Sequence, residues 1–239
     1  MLSALHNEVE NIYNQVFARD IQTLAICSTN PREGCTTLAQ LLAQRCLLTG
    51  NRTLLVDLNS HHSSLAPLLI LNKEREINQG TSLLAPPQLI ETDKQAMIGI
   101  PAPKRKEAIL KLRAPDKLKQ QIDTWRKDFD CVIIDTTPLS RVNHNNIPGD
   151  VVAGSCDASI LMVKAGETTE EMVEASLAQL NKQQANIIGT VINDQNNPTL
   201  KDELLRKATN LKKAKYIPAC LVNRLIRNIH SSKLLNLNI

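Results

Sequence analysis

Six short apolar runs punctuate the chain: Thr23–Ser28, Thr53–Asp57, Met97–Ile100, Cys131–Asp135, Ala158–Val163 and Asn186–Ile192. Each is rich in aliphatic or β-branched side chains and apolar on both pleat faces. That is the pattern of strands covered on both sides in a parallel sheet, not of strands with one wet face. Between them, apolar residues recur at helical spacing over 36–48, 105–127, 168–183 and 199–213. Alternation of strand and helix predicts a doubly wound α/β fold, a mostly parallel sheet flanked by helices. The stretch 72–95, with Gly80, Pro86 and Pro87, has weak periodicity and reads as a short helix with loops. The organisation expected is one domain over 1–239, opened by a helix within 1–20 and closed by a basic segment over 200–239.

Composition narrows this picture. The 239 residues are 42% hydrophobic and 22% charged, which excludes a disordered chain. No run of 18 apolar residues occurs, and the mixed start MLSALHNEVENIY is not a secretory signal, so a cytoplasmic protein with at most peripheral membrane contact is expected. Six cysteines without a C-x-x-C pair suggest neither a disulfide framework nor a zinc site. Five aromatic residues are too few for a platform that stacks single-stranded nucleic acid. The net charge of +4 is uneven: residues 201–239 hold nine Lys/Arg against Asp202 and Glu203, while the rest is slightly acidic. Within that tail, Leu221, Val222, Leu225, Ile226 and Ile229 form an apolar stripe opposite Arg224 and Arg227. A stripe of this kind serves equally as a docking surface or as a helix packed on its own protein.

The candidate chemistry lies after the first run. Thr29-Asn30-Pro31-Arg32-Glu33-Gly34-Cys35-Thr36-Thr37 joins a strand to a helix, the setting of a phosphate-binding loop. There, backbone N–H groups and a helix N-terminus face an anion. Gly34 and Thr36 fit G-x-x-x-x-G-K-[ST], whereas Thr29 holds the first glycine position and Cys35 the lysine position. Asp57 and Asp135 each end an apolar run, and in parallel α/β sheets ligands sit beyond the strand carboxyl ends. Thr36, Asp57 and Asp135 together suit a hydrated Mg2+ held by carboxylates and phosphates.

With these segments in view, the chain resembles the bacterial tyrosine kinases of capsule and exopolysaccharide systems, in the deviant-Walker superfamily that includes the Min and Par ATPases. STNPREGCTTLAQLLAQ is similar to the kinase loop S-x-x-P-G-E-G-K-S-T, and LLVDLNSHHSSL to L-L-I-D-A-D-L-R-R-P-S-L. IGIPAPKRKEAILKLRAPDKLKQQIDTWRKDFDCVIIDTTP and DVVAGSCDASILMVKAGETT resemble later segments, and IIGTVIND places Asn193 at the residue that typically faces adenine. The resemblance implies a P-loop NTPase-like fold and a site for ATP or ADP with Mg2+ built from Pro31, Arg32, Glu33, Gly34, Cys35, Thr36, Thr37 and Asn193. Asp57, Asn59 and Asp135 would stand at the catalytic positions. It also implies a partner, the cytoplasmic part of an inner-membrane polysaccharide co-polymerase or export protein, and association into homo-oligomers.

The departures bear on activity. The family lysine is Cys35, the loop glycine before Glu33 is Arg32, and the second acidic residue of the D-A-D segment is Asn59. The ring-forming E-x-x-R-x-x-R reads Glu8, Asn11 and Asn14, which favours a dimer at most over a ring. No terminal tyrosine cluster is present; the tyrosines are Tyr13 and Tyr216. Losing one charge-assisted hydrogen bond costs about 1.5–3 kcal/mol, so nucleotide binding is expected to be weak or absent. Arg32 could fold over an anion, although a solvated side chain is its ordinary role. A thiol at a helix N-terminus can have a lowered pKa, which would suit Cys35 to a redox role; a small filler residue is its ordinary role. The chain therefore reads as a catalytically degenerate accessory or regulatory subunit. The alternatives are an active ATP-dependent autokinase or ATPase of the same system, and a Min/Par-like positioning ATPase.

Overall fold

The computed structural model describes residues 3–17, 21–59, 65, 83–91, 96–194, 201, 204–205, 207–208 and 219–231. The chain divides into two compact units, Met1–Asn193 and Asp194–Ile239. The first unit runs α1 (Asn7–Val16), β1 (Thr23–Ser28), α2 (Cys35–Leu48), β2 (Thr53–Asp57), β3 (Gln88–Glu91), β4 (Ala96–Ile100), α3 (Lys106–Leu112), α4 (Pro115–Trp125), β5 (Cys131–Asp135), α5 (Gly149–Ser155), β6 (Ala158–Lys164), α6 (Glu170–Lys182) and β7 (Ile187–Asn193). The strands form one seven-stranded sheet in the order β3-β4-β2-β5-β1-β6-β7. All neighbours pair in parallel except β3 with β4. The doubly wound, mostly parallel architecture expected from the sequence is the one observed.

The pleat sorts each central strand into two apolar layers. Leu24 and Ile26 of β1 join Leu55, Ile133 and Ile160 in a layer closed by Val9 and Val16 of α1 and Leu38, Leu42 and Cys46 of α2. Ala25 and Cys27 join Leu54, Val56, Val132 and Ile134 in the opposite layer. That layer is closed by Leu112 of α3, Leu118, Ile122 and Trp125 of α4, Val152 of α5 and Leu180 of α6. Cys27, Cys35, Cys46 and Cys131 are all buried within these layers, and Cys156 is half-buried.

Helix α1 is fastened to α2 by polar as well as apolar contacts. The Arg45 guanidinium makes a two-pronged ion pair with Glu10, through Nε to Oε2 and through Nη2 to Oε1 at 2.8 Å. It also lies 4.4 Å over the centre of the Tyr13 ring. Asn51 Nδ2 donates to the Tyr13 hydroxyl at 3.3 Å. Glu8, Asn11 and Asn14 stay exposed.

Three elements differ from the sequence expectation. Residues 88–91, expected among helix and loops, form the antiparallel edge strand β3; the rest of 72–95 falls mostly outside the described residues. The helix expected over 105–127 is two helices, because Pro115 starts α4 at its first position after extended Ala114. A proline there has no N–H to donate and its ring excludes a continuous helix. The segment 149–155, which lies outside the helices expected from the sequence, forms α5.

In the second unit, the described positions within 199–213 are helical at 201, 204, 205, 207 and 208. A further helix, α7, spans Ala219–Ser231. Val222 and Ile229 of the stripe are buried and Ile226 is half-buried, while Asn223, Arg224, Arg227 and Asn228 are exposed; the side chains of Leu221 and Leu225 lie outside those described. No described helix is long and apolar enough to cross a membrane.

Candidate nucleotide site

The carboxyl ends of β1, β2 and β5 place three parts of the site together. In the register of the parallel pair β2–β5, Asp57 stands beside Asp135, so both carboxylates leave the same face of the sheet. That face is covered by α2, whose second residue, Thr36, donates from Oγ1 to Asp135 Oδ2 at 2.5 Å. Thr36, Ala39, Gln40, Leu55, Asp57, Leu65 and Asp135 line the narrow crevice between helix and sheet. Asp57 is fully buried, and its oxygens accept from the backbone N–H of Asn59 at 2.9 Å and of Leu65 at 3.3 Å. Asn59 is itself buried.

Asp135 is less well satisfied. Its Oδ1 is buried with no hydrogen-bond partner. Burial pushes its carboxyl pKa up to about 7, and the neighbouring Asp57 adds to the rise against the contrary pull of Thr36. An orphaned carboxylate oxygen beside a hydroxyl and a second carboxylate is the donor set a hard divalent cation takes. His61 and His62 fall outside the described residues.

The loop before α2 is held at both ends. Thr29 O accepts the N–H of Ser140 at 3.0 Å, and Ser176 Oγ donates to Thr29 Oγ1 at 3.0 Å. At the other end Glu33 is buried, its Oε1 accepting from Thr168 Oγ1 and its backbone carbonyl accepting from Asn193 Nδ2 at 3.0 Å. Gly34 follows at φ 103°, and a Cβ there would stand 2.8 Å from Asn193 Nδ2. Both the handedness and the space therefore call for glycine. Arg32 takes φ 65° at the position where the tyrosine-kinase loop carries glycine.

Cys35 opens α2 with its thiol turned inward, in the apolar layer with Leu38 and Met162. Burial raises its pKa well above the ordinary thiol range, and the nearby Asp135 carboxylate raises it further. This is the reverse of the activation that a redox role requires, so Cys35 is a neutral filler at the helix start. Of the expected site residues, Thr36, Asp57 and Asp135 meet in one crevice, and Glu33, Gly34 and Asn193 meet at the loop's far end. Pro31, Arg32 and Thr37 lie on the loop and the first turn of α2, where Arg32 and Thr37 are exposed. The clamps from Thr168, Ser176 and Ser140 were not foreseen. They join residues more than a hundred positions apart, and no local signal marks them.

A mostly parallel sheet with a glycine turn, a helix and paired aspartates at its carboxyl edge is a P-loop NTPase-like fold. No protein-family model matches the chain. Its relatives are bacterial tyrosine-protein kinases: the chain is 26% identical over 196 residues to the tyrosine-protein kinase CpsD of Streptococcus pneumoniae, covering 78% of this chain and 84% of that protein. The fold matches the VpsO kinase domain with a TM-score of 0.60 at 21% identity, covering 80% of this chain and 93% of that one. It also matches cobyrinic acid a,c-diamide synthase from Mycobacterium smegmatis, solved with bound ADP and magnesium, with a TM-score of 0.56 at 22% identity, covering 79% and 81%. The resemblance read from the loop and the two aspartate segments is thereby borne out.

Proposed function

We propose that this chain is a tyrosine-kinase-like P-loop protein of capsule or exopolysaccharide biosynthesis and export, acting as a catalytically reduced accessory or regulatory subunit. The observation that carries this reading is the contrast across the site. The cation side, Thr36, Asp57 and Asp135, is assembled, while the lysine position holds a buried neutral thiol. Thr36, Asp57 and Asp135 would hold Mg2+, and Pro31 to Thr37 with Asn193 would border ATP or ADP. When bound, Mg2+ supplies charge neutralisation at the phosphates. Without a lysine to steady developing phosphoryl charge, transfer is slowed more than binding, because such reactions depend on electrostatic stabilisation. The protein would act in the cytoplasm, at the inner membrane only peripherally, and would dock on the cytoplasmic part of a polysaccharide co-polymerase or export protein. The exposed Arg224 and Arg227 of α7 are candidates for that contact.

The intact cation side favours one second reading, an autokinase or ATPase that works without the lysine. Purified protein incubated with Mg-ATP separates the two. Tyr13 is held under Arg45, and both it and Tyr216 are expected to remain unphosphorylated by mass spectrometry. Phosphotyrosine that appears on the chain and is lost in Asp57→Ala would establish the active reading instead. The Min/Par-like alternative is disfavoured by Thr29 and Asn30, which occupy the early loop region where those proteins usually carry an additional lysine.

A further inference from the structure

Two non-glycine residues among those described have positive φ, Arg32 at 65° and Gln184 at 55°. Gln184 directly follows the C-cap of α6, where a left-handed residue ends many helices. Arg32 has no such reason. It is exposed at the apex of the loop, between a proline and the buried Glu33, and makes no ion pair or side-chain hydrogen bond to a described residue. Both feet of the loop are tied, through Thr29 to Ser140 and Ser176, and through Glu33 to Thr168 and Asn193. The Glu33 carboxylate is turned into the protein, buried against Thr168, and so does not occupy the guanidinium. A backbone conformation that disfavours any Cβ is thus retained at an arginine on a rigid loop, and strain kept at a loop apex points to a ligand contact.

What that ligand is follows from the surroundings. The N-terminal amides of α2 open directly behind Gly34, and such groups favour anions. One step further in, Asp135 lines the crevice beside Thr36 and its Oδ1 is buried without a partner, a place for a cation that accompanies a polyanion. The lysine position cannot supply the positive charge between them, because Cys35 is buried and neutral.

We propose that Arg32 supplies the cation that position 35 lacks, reaching over the loop to contact the phosphate chain of a nucleoside triphosphate. The proposal rests on the nucleotide-loop reading given above. Arginine suits the task because its planar fork donates two parallel hydrogen bonds to phosphate oxygens and stays charged at every physiological pH. The relocation has a backbone consequence. The family's glycine takes the left-handed turn without strain, whereas here the side chain that brings the charge also brings the strain.

The test is binding of a fluorescent ATP analogue with Mg2+ to the full chain. Arg32→Gln and Arg32→Gly are expected to weaken binding about tenfold or more, and Arg32→Lys to hold it within about threefold. Inorganic tripolyphosphate should displace the analogue from the unmodified protein and much less from Arg32→Gln; adenosine should compete equally with both. Arg32→Gly should at the same time melt about 2–4 °C higher, since glycine takes φ 65° freely. Weaker anion binding in a more stable protein is a pairing that a purely structural arginine does not give. Equal binding by Arg32→Gln and the unmodified chain overturns the proposal. So does binding by Cys35→Lys alone with none by the unmodified chain, which leaves the nucleotide-loop reading standing. Absence of binding in both overturns the proposal and that reading together.

Discussion

The Asp135→Asn variant is expected to be more stable than the unmodified protein at pH 8, and to differ little from it at pH 4. The carboxyl of Asp135 is buried beside Asp57, and its pKa is raised from 3.8 to about 7 in the folded protein. A group with a raised folded pKa binds its proton more tightly in the native than in the unfolded chain. Its contribution is fully present below about pH 4 and is lost as pH rises toward 7. The shift corresponds to on the order of 4 kcal/mol between the two limits. Asparagine keeps the shape and a hydrogen bond to Thr36 but removes the charge, so the pH dependence goes with it. Urea unfolding of both proteins from pH 4 to pH 8 reads Asp135 together with its coupling to Asp57, because every other carboxylate is common to the two proteins. If the two curves run parallel across that range, the Asp135 carboxyl is not carrying uncompensated charge. Adding Mg2+ at pH 8 should stabilise the unmodified protein and leave Asp135→Asn nearly unaffected.

Cys35→Lys is expected to tighten Mg-ATP binding about tenfold or more, the worth of one charge-assisted hydrogen bond to phosphate. The variant carries a second signature. In the free protein the new ammonium begins from a buried position against Leu38 and Met162, so the melting temperature should fall. Nucleotide then offers it a partner, and the rise in melting temperature on adding Mg-ATP should exceed that of the unmodified chain. Calorimetry reads the affinity directly. Tight, magnesium-dependent binding by the unmodified protein, unchanged by the lysine, would remove the case for a reduced site.

Much of the fold is legible in the sequence because the central strands are buried on both faces. β1, β2 and β5 begin and end where the apolar runs TLAICS, TLLVD and CVIID do, and every residue in them is buried. Burial of that kind leaves no choice of period or register for a polar residue to obscure. β3 was missed for the opposite reason: four residues on the antiparallel edge, with exposed Leu89 paired to exposed Ile98, carry no alternation to read. Pro115 did announce the break between α3 and α4, and the helical periodicity on either side masked it. In the site, the local part could be read: a glycine turn, a helix start, and an aspartate at the end of each of two strands. The tertiary part could not. That Asn193 closes on Glu33, and that the Cys35 thiol faces inward, depend on how β7 and β1 lie in a sheet whose order is set by seven strands at once.

The shielded thiols give the protein a built-in chemical clock. Alkylating reagents attack only cysteines that have opened to solvent, so labelling rates report opening rates or populations region by region. Cys46 and Cys131 lie between α2 and the sheet, where α1 closes the layer, and should become reactive only when that layer comes apart. Cys35 sits at the other end of α2, directly after the glycine turn at Gly34, and needs only the first turn of the helix to fray. A reagent such as iodoacetamide should therefore mark Cys35 ahead of Cys46 and Cys131 in the free protein, and a bound polyanion should slow Cys35 while leaving Cys46 and Cys131 on the schedule of global unfolding.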